Sequence, residues 1–181
     1  MQHGYSGAST LEIATRAKVS KRELYALVGS KQDMLIACIA ERSAKMRPVP
    51  AELPIANNRE TLARVLETLG ARLLTEVSHP TVIATFRLAI AEAKQAPEVA
   101  QVLESQGRQA NRAPLRQILE AASSSGLLRG DPAQLVERFI ALLWGDLLMA
   151  LLLRIAARPG PAEFKRRARA AVIALLQLYP P

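Results

Sequence analysis

An all-α fold is what this sequence predicts, and three observations carry the reading. Apolar residues recur at intervals of three and four along most of the chain, hairpin dipeptides between alternating segments are missing, and helix-start signals stand ahead of the periodic runs. With 181 residues, half of them apolar, the chain can build a substantial core. The formal net charge of +8 admits a polyanionic partner such as DNA. An aromatic content of only 4% argues against the stacking platforms of single-strand binders.

Each helix has its own start or stop. Ser9-Thr10-Leu11-Glu12 and Ser20-Lys21-Arg22-Glu23 both carry the hydroxyl-to-Glu spacing of a capping box, placing helix starts near 10 and 21. Only Ala17-Lys18-Val19 lies between the two helices, enough for a tight turn, so the pair reads as a helix-turn-helix. Its small core is expected to use Leu11, Ile13, Ala14, Ala17, Val19, Leu24 and Leu27. A helix over about 31–47 follows, with Met34, Leu35, Cys38, Ile39 and Met46 on its inner face. Pro48, Pro50 and Pro54 then prevent its continuation, and the domain boundary is placed there, giving domains 1–47 and 48–181.

In the larger part, Leu62, Val65, Leu66, Leu69 and Leu73 mark one face of a helix over 59–78. Pro80 and Pro97 suit first helical turns, predicting helices at about 80–95 and 97–124, the latter with a break near Gly107 or Pro114. Gly130-Asp131-Pro132 opens a helix over about 132–157, and Pro159-Gly160-Pro161 precedes the last, over about 162–178. The apolar stretch from Phe139 to Ile155 is interrupted by Asp146 and Arg154 and falls short of the roughly 20 residues a membrane span needs, so it reads as a buried interface helix. No membrane partner is expected. The start MQHGYSGAS has no apolar run of a signal peptide, and the single Cys38 reads as a buried thiol in a reducing cytoplasm.

The helix-turn-helix carries the functional reading. In a DNA-reading pair the second helix enters the major groove and its N-terminal residues meet the bases. Lys21 and Arg22 stand in that first turn, where they can donate to phosphates or guanine edges, and Tyr25 follows one turn on. Lys31 adds a cation, while Ser9 and Thr10 can direct hydroxyls and backbone N–H groups at a phosphate. Enzyme signals are missing: there is no Gly-rich phosphate loop, nucleophile elbow or metal-ligand cluster, and His3 and His79 stand apart from other ligands. The protein is therefore read as no enzyme, without cofactor or metal. The competing reading is a helical scaffold that binds partners but not DNA.

The run Gly4-Tyr5, Ser9-Thr10, Ile13-Ala14, Ala17, Val19-Ser20, Leu24-Tyr25, Ser30-Lys31 and Leu35 resembles the signature of TetR-family transcriptional regulators. Residues 80–100, with Arg87-Leu88, Ile90-Ala91-Glu92-Ala93 and Pro97-Glu98, are similar to a subgroup of that family's C-terminal domains, the AefR-like one. The resemblance implies a homodimeric repressor that binds a near-palindromic duplex operator and responds to a small-molecule effector. It assigns phosphate contacts to Tyr25 and Lys31 and base-facing positions to Lys21 and Arg22. Lys18 stands where the family commonly has Gly, so a positive φ there carries strain. The family also places a full helix ahead of the Gly-Tyr pair, where this sequence has Met1-Gln2-His3, which implies a head largely lacking its first helix.

Candidate effector contacts are Phe86, Arg87 and Ile90 on one helix and Trp144 and Asp146, a Trp and an acid in an otherwise apolar stretch. The wide apolar faces of the last two helices, about 132–157 and 162–178, suggest a four-helix dimer interface built from two copies of each. Lys165, Arg166, Arg167 and Arg169 read as a solvated helix face.

Overall fold

The computed structural model describes residues 9–46, 56–94 and 97–181, and among them there is no strand. The helices are α1 (Thr10–Ala17), α2 (Lys21–Val28), α3 (Lys31–Met46), α4 (Arg59–Val77), α5 (Pro80–Ala91) and α6 (Pro97–Val102). A π-helical segment, Leu103–Gln109, leads into α7 (Ala110–Ser124), followed by α8 (Pro132–Trp144), α9 (Leu147–Leu152) and α10 (Pro161–Leu178). The expected start at Gly4-Tyr5, the question of a helix before it, and the proline-rich boundary at 48–54 lie outside the described residues.

The chain forms two compact units, Met1–Met46 with Ala84–Ala110 and Arg47–Ile83 with Asn111–Pro181. In the first, α3 packs on α6 and on the π segment. Ile39, Ala89, Val99 and Leu103 are buried together there, with Leu35, Phe86 and Val102 against them. A single cut at 47/48 therefore does not describe compactness, because α3 has its apolar partners some sixty residues further along the chain. Cys38 departs from its expectation: it is exposed, one position away from the Ile39 stripe that faces the cluster.

In the second unit α10 packs on α4 and α8. Asn58 caps α4, its Oδ1 accepting from the Thr61 amide at 2.8 Å while its own amide donates to Thr61 Oγ1 at 3.1 Å. The stripe read from the sequence is buried in full, Leu62, Val65, Leu66, Leu69 and Leu73, with Leu74 beside it. Asp131 caps α8 by accepting from the Gln134 amide at 3.0 Å, with Pro132 in the first turn. The expected helix over 132–157 is broken. Gly145 leaves helical space at φ 47° and ψ −127°, α9 restarts at Leu147, and Arg154 at φ 61° follows its end. The run over 97–124 stays helical through Pro114, and the irregularity falls at Gly107 as a wider turn.

Most of the apolar face that suggested a dimer seam is used within the protomer. Leu135, Phe139, Leu143, Leu147, Leu151, Val172 and Leu175 are buried against α4 and one another. Leu142, Met149, Ile173 and Leu178 stay exposed.

Arg59 closes the end of α10. Its guanidinium donates to the carbonyls of Leu127 at 2.7 Å, Leu176 at 2.5 Å and Tyr179 at 3.2 Å, two of them acceptors at a helix C-terminus. Arg59→Ala is expected to cost roughly 2–3 kcal/mol, read as a lower urea midpoint at unchanged slope. Arg59→Lys should recover little, because one ammonium cannot span three carbonyls.

Candidate nucleic-acid interface

The head is built from two eight-residue helices and the turn between them. Ser9 caps α1, its Oγ accepting from the Leu11 amide at 3.2 Å. The box expected there does not close, since Glu12 reaches forward to Arg16 at 2.8 Å instead. α1 ends with Lys18 in the left-handed region, φ 57° and ψ 37°, and the Val19 amide donates back to the Ala14 carbonyl at 3.1 Å. This is the six-to-one bond of a Schellman stop, normally served by Gly, so the strain expected at Lys18 is present.

At α2 the box is complete. Ser20 Oγ accepts from the Glu23 amide at 3.1 Å and Glu23 Oε2 accepts from the Ser20 amide at 2.7 Å. A second box, at Ser30 and Asp33, opens α3: the Ser30 amide and hydroxyl both donate to Asp33 Oδ2, at 2.7 and 2.6 Å. Its sequence signal, Ser30-Lys31-Gln32-Asp33, has the same spacing with Asp in place of Glu. Gly29 makes the turn between α2 and α3 at φ 86°, and a Cβ there would meet Asp33 Oδ2 at 2.6 Å.

Both capping carboxylates are held below their ordinary pKa. For Glu23 the Ser20 side chain is the main cause and the Ser20 backbone the second. For Asp33 the Ser30 side chain leads and the Ser30 backbone follows. A lowered folded pKa means that the cap is fully present above the ordinary carboxylate range and is lost as pH falls through the lowered values. An NMR titration of the Ser20 and Ser30 amides should therefore show midpoints below those of unfolded peptides of the same sequence. Glu23→Gln should abolish the Ser20 transition.

Of the contact residues read from the sequence, Thr10, Tyr25 and Lys21 are brought together. Tyr25 is 42% exposed, and its hydroxyl donates to Thr10 Oγ1 at 3.3 Å, joining α2 to α1. Lys21 Nζ lies 5.8 Å from the centre of the Tyr25 ring, within cation–π range. Lys21, Arg22 and Ser9 are exposed, and Thr10 and Lys31 half-buried. The expected core between the helices is smaller than the sequence suggested. Ala14 and Leu24 are buried and Ile13 and Val19 half-buried, but Ala17 is exposed, Leu11 is 61% exposed and Leu27 76%. Helices of two turns, with the caps at their ends, have room for one inward residue each.

The effector candidates are not gathered by the fold of either unit. Phe86 packs against the Ile39 cluster and Arg87 is half-buried in the first unit, while Ile90 is 63% exposed. Trp144 belongs to the core of the second unit, and Asp146 is exposed in the turn after Gly145. Among the described residues no group of three His, Cys, Asp or Glu side chains is arranged to hold a metal, and no helix is long and apolar enough to cross a membrane.

Two short capped helices with a basic, exposed first turn on the second, followed by a larger helical part, define a DNA-binding transcriptional regulator. The comparisons make the family plain. Residues 1–38 match the family described as bacterial regulatory proteins, tetR family, and residues 64–181 match the AefR-like transcriptional repressor C-terminal domain. This chain belongs to the TetR family. Solved structures agree: a TetR regulator from Agrobacterium tumefaciens is 30% identical over 94% of this chain and 83% of its own, with a TM-score of 0.79. A TetR-family regulator from Mesorhizobium loti shares the fold at 23% identity, covering 98% of this chain and 89% of its own, with a TM-score of 0.82. The flavonoid-responsive regulator FrrA does so at 24% identity over 99% and 90%, with a TM-score of 0.79. No curated protein matches at a significant level.

Proposed function

We propose that the chain is a cytoplasmic, ligand-responsive repressor that binds a near-palindromic duplex as a homodimer and works by binding rather than catalysis. The observation that carries this is the first turn of α2, where Lys21 and Arg22 are exposed beside a Tyr25 held to Thr10. Ser9, Thr10, Tyr25 and Lys31 take phosphates, and Lys21 and Arg22 take base edges or phosphates. The division of labour is a DNA-reading head over 1–47 and an effector and dimerisation part over 48–181.

Dimerisation is assigned to α8, α9 and α10 through the apolar side chains left exposed once the protomer core is filled, Leu142, Met149, Ile173 and Leu178. Two recognition helices about 34–36 Å apart would then meet successive major grooves. Coupling to an effector has a physical route, because α3 leads directly from the head and packs on α6 and the π segment. Phe86, in the same cluster, with Arg87 and Ile90 on its helix, is the effector contact this route favours. The effector acts only through a difference in affinity between two conformers.

Selection from a random duplex library with the full chain tests the reading. Enriched sites should have two related half-sites, binding should weaken steeply with salt, and sedimentation should give two protomers per duplex. A helical scaffold predicts no salt-dependent duplex binding, and that outcome, or a monomer on DNA, would overturn the proposal.

A further inference from the structure

Resting on the DNA-binding reading, we infer that Leu27 is a specificity-determining residue that reads the C5-methyl group of a thymine in each half-site. The side chains of α2 divide cleanly by their contacts. Leu24 is buried, Glu23 is folded back onto the Ser20 amide, Tyr25 is bonded to Thr10, and Lys21 lies over the Tyr25 ring. That leaves Arg22, Ala26, Leu27 and Val28 as the exposed side chains of the helix not engaged in these local contacts, Leu27 the more exposed of its two large apolar ones.

At 76%, Leu27 is the most exposed large apolar side chain among the described residues. A single exposed leucine is ordinary on a protein surface. This one is set on an eight-residue helix whose first turn is cationic, so the surface that covers the helix must be anionic while still offering something apolar to Leu27. The major groove meets both conditions, since its walls are phosphates and the apolar group exposed on its floor is the thymine methyl. Leu27 lies five residues beyond Arg22, about 7.5 Å along the axis and roughly 140° around it, so the two side chains address different base pairs. The reading thus places the A·T pair at a position of the half-site other than the one that Arg22 contacts.

Uracil lacks only the methyl group of thymine, so it isolates the contact. On a selected operator duplex, replacing thymine by uracil position by position should weaken the full-length protein at one place per half-site, by about fourfold for each buried methyl. Leu27→Ala should lose a similar factor on the thymine duplex and nothing more on the uracil duplex. Leu27→Met should keep the uracil sensitivity, and unchanged melting curves would show that neither exposed substitution disturbs the fold. Affinity unaffected by Leu27→Ala, or an identical uracil profile in both proteins, would overturn the inference. Failure of the unaltered protein to select any duplex would instead overturn the DNA-binding reading on which it rests.

Discussion

Truncating Phe139 to alanine is expected to cost about 3–5 kcal/mol of folding free energy, the largest stability effect of any single substitution proposed for this chain. Phe139 is fully buried in α8, in the cluster that joins α4, α8 and α10. Its ring fills a place where the helices approach closely because α4 has Gly70 there. A Cβ on Gly70 would stand 3.2 Å from Phe139 Cζ, 3.1 Å from Leu143 Cδ1 and 3.2 Å from Ala168 Cβ. The helices are therefore held at a distance set by a ring on one side and a missing side chain on the other. Losing the ring leaves a cavity that Ala168 is too small to fill. Trp144, the only tryptophan, is buried in the same cluster and reports the transition by fluorescence in urea. The pair should also be coupled. Gly70→Ala meets three close neighbours in the native protein but only two once Phe139 is gone, so its effect should be more favourable in the Phe139→Ala background. Strict additivity would refute this account of the packing.

What could be read from the sequence was whatever rests on local chemistry. Ser20 with Glu23, Pro132 after Asp131 and Pro161 after Gly160 place helix starts because each device satisfies or removes backbone N–H groups within four residues. The Leu62 to Leu73 stripe could be read because one long helix has a single inward face. What could not be read turns on which of several partners a side chain takes, near or distant. Glu12 has the spacing of a box, yet Arg16 one turn on offers it a charge. Cys38 sits in an apolar run, but only the position of the Ile39 cluster decides which side of α3 faces inward. The apolar faces of α8 and α10 look alike whether covered by α4 or by a second protomer, and most of their residues go to α4. At the head, residue types and spacing gave the candidate contacts, while the Tyr25 to Thr10 bond and the outward turn of Leu27 required coordinates. The family resemblance linked the two halves of the chain. The packing of Ala84–Ala110 with α3 is a further long-range partnership that only coordinates show.

The largest functional effect is expected from the first turn of α2, and its two cations should fail in different ways. Arg22 is exposed and its fork suits the O6 and N7 edge of guanine, so Arg22→Ala should cost about 1–3 kcal/mol of operator affinity and relax the preference at one position of each half-site. Lys21 is a point charge whose ammonium is held above the Tyr25 ring, close to the hydroxyl that Tyr25 shares with Thr10. Lys21→Ala should weaken binding to all duplexes by a similar factor and flatten the salt dependence by about one counterion per half-site, leaving sequence preference intact. Tyr25→Phe keeps the ring beneath Lys21 and removes the bond to Thr10, so it should reduce affinity less than Lys21→Ala with the salt slope unchanged. Neither cation contributes to the buried core, so melting temperatures should stay where they are. Shift assays across a salt series separate these outcomes. Unaltered affinity in both Lys21→Ala and Tyr25→Phe would remove this turn from the contact surface, whereas losses with the two distinct salt slopes would assign charge to Lys21 and hydrogen bonding to the Tyr25 hydroxyl.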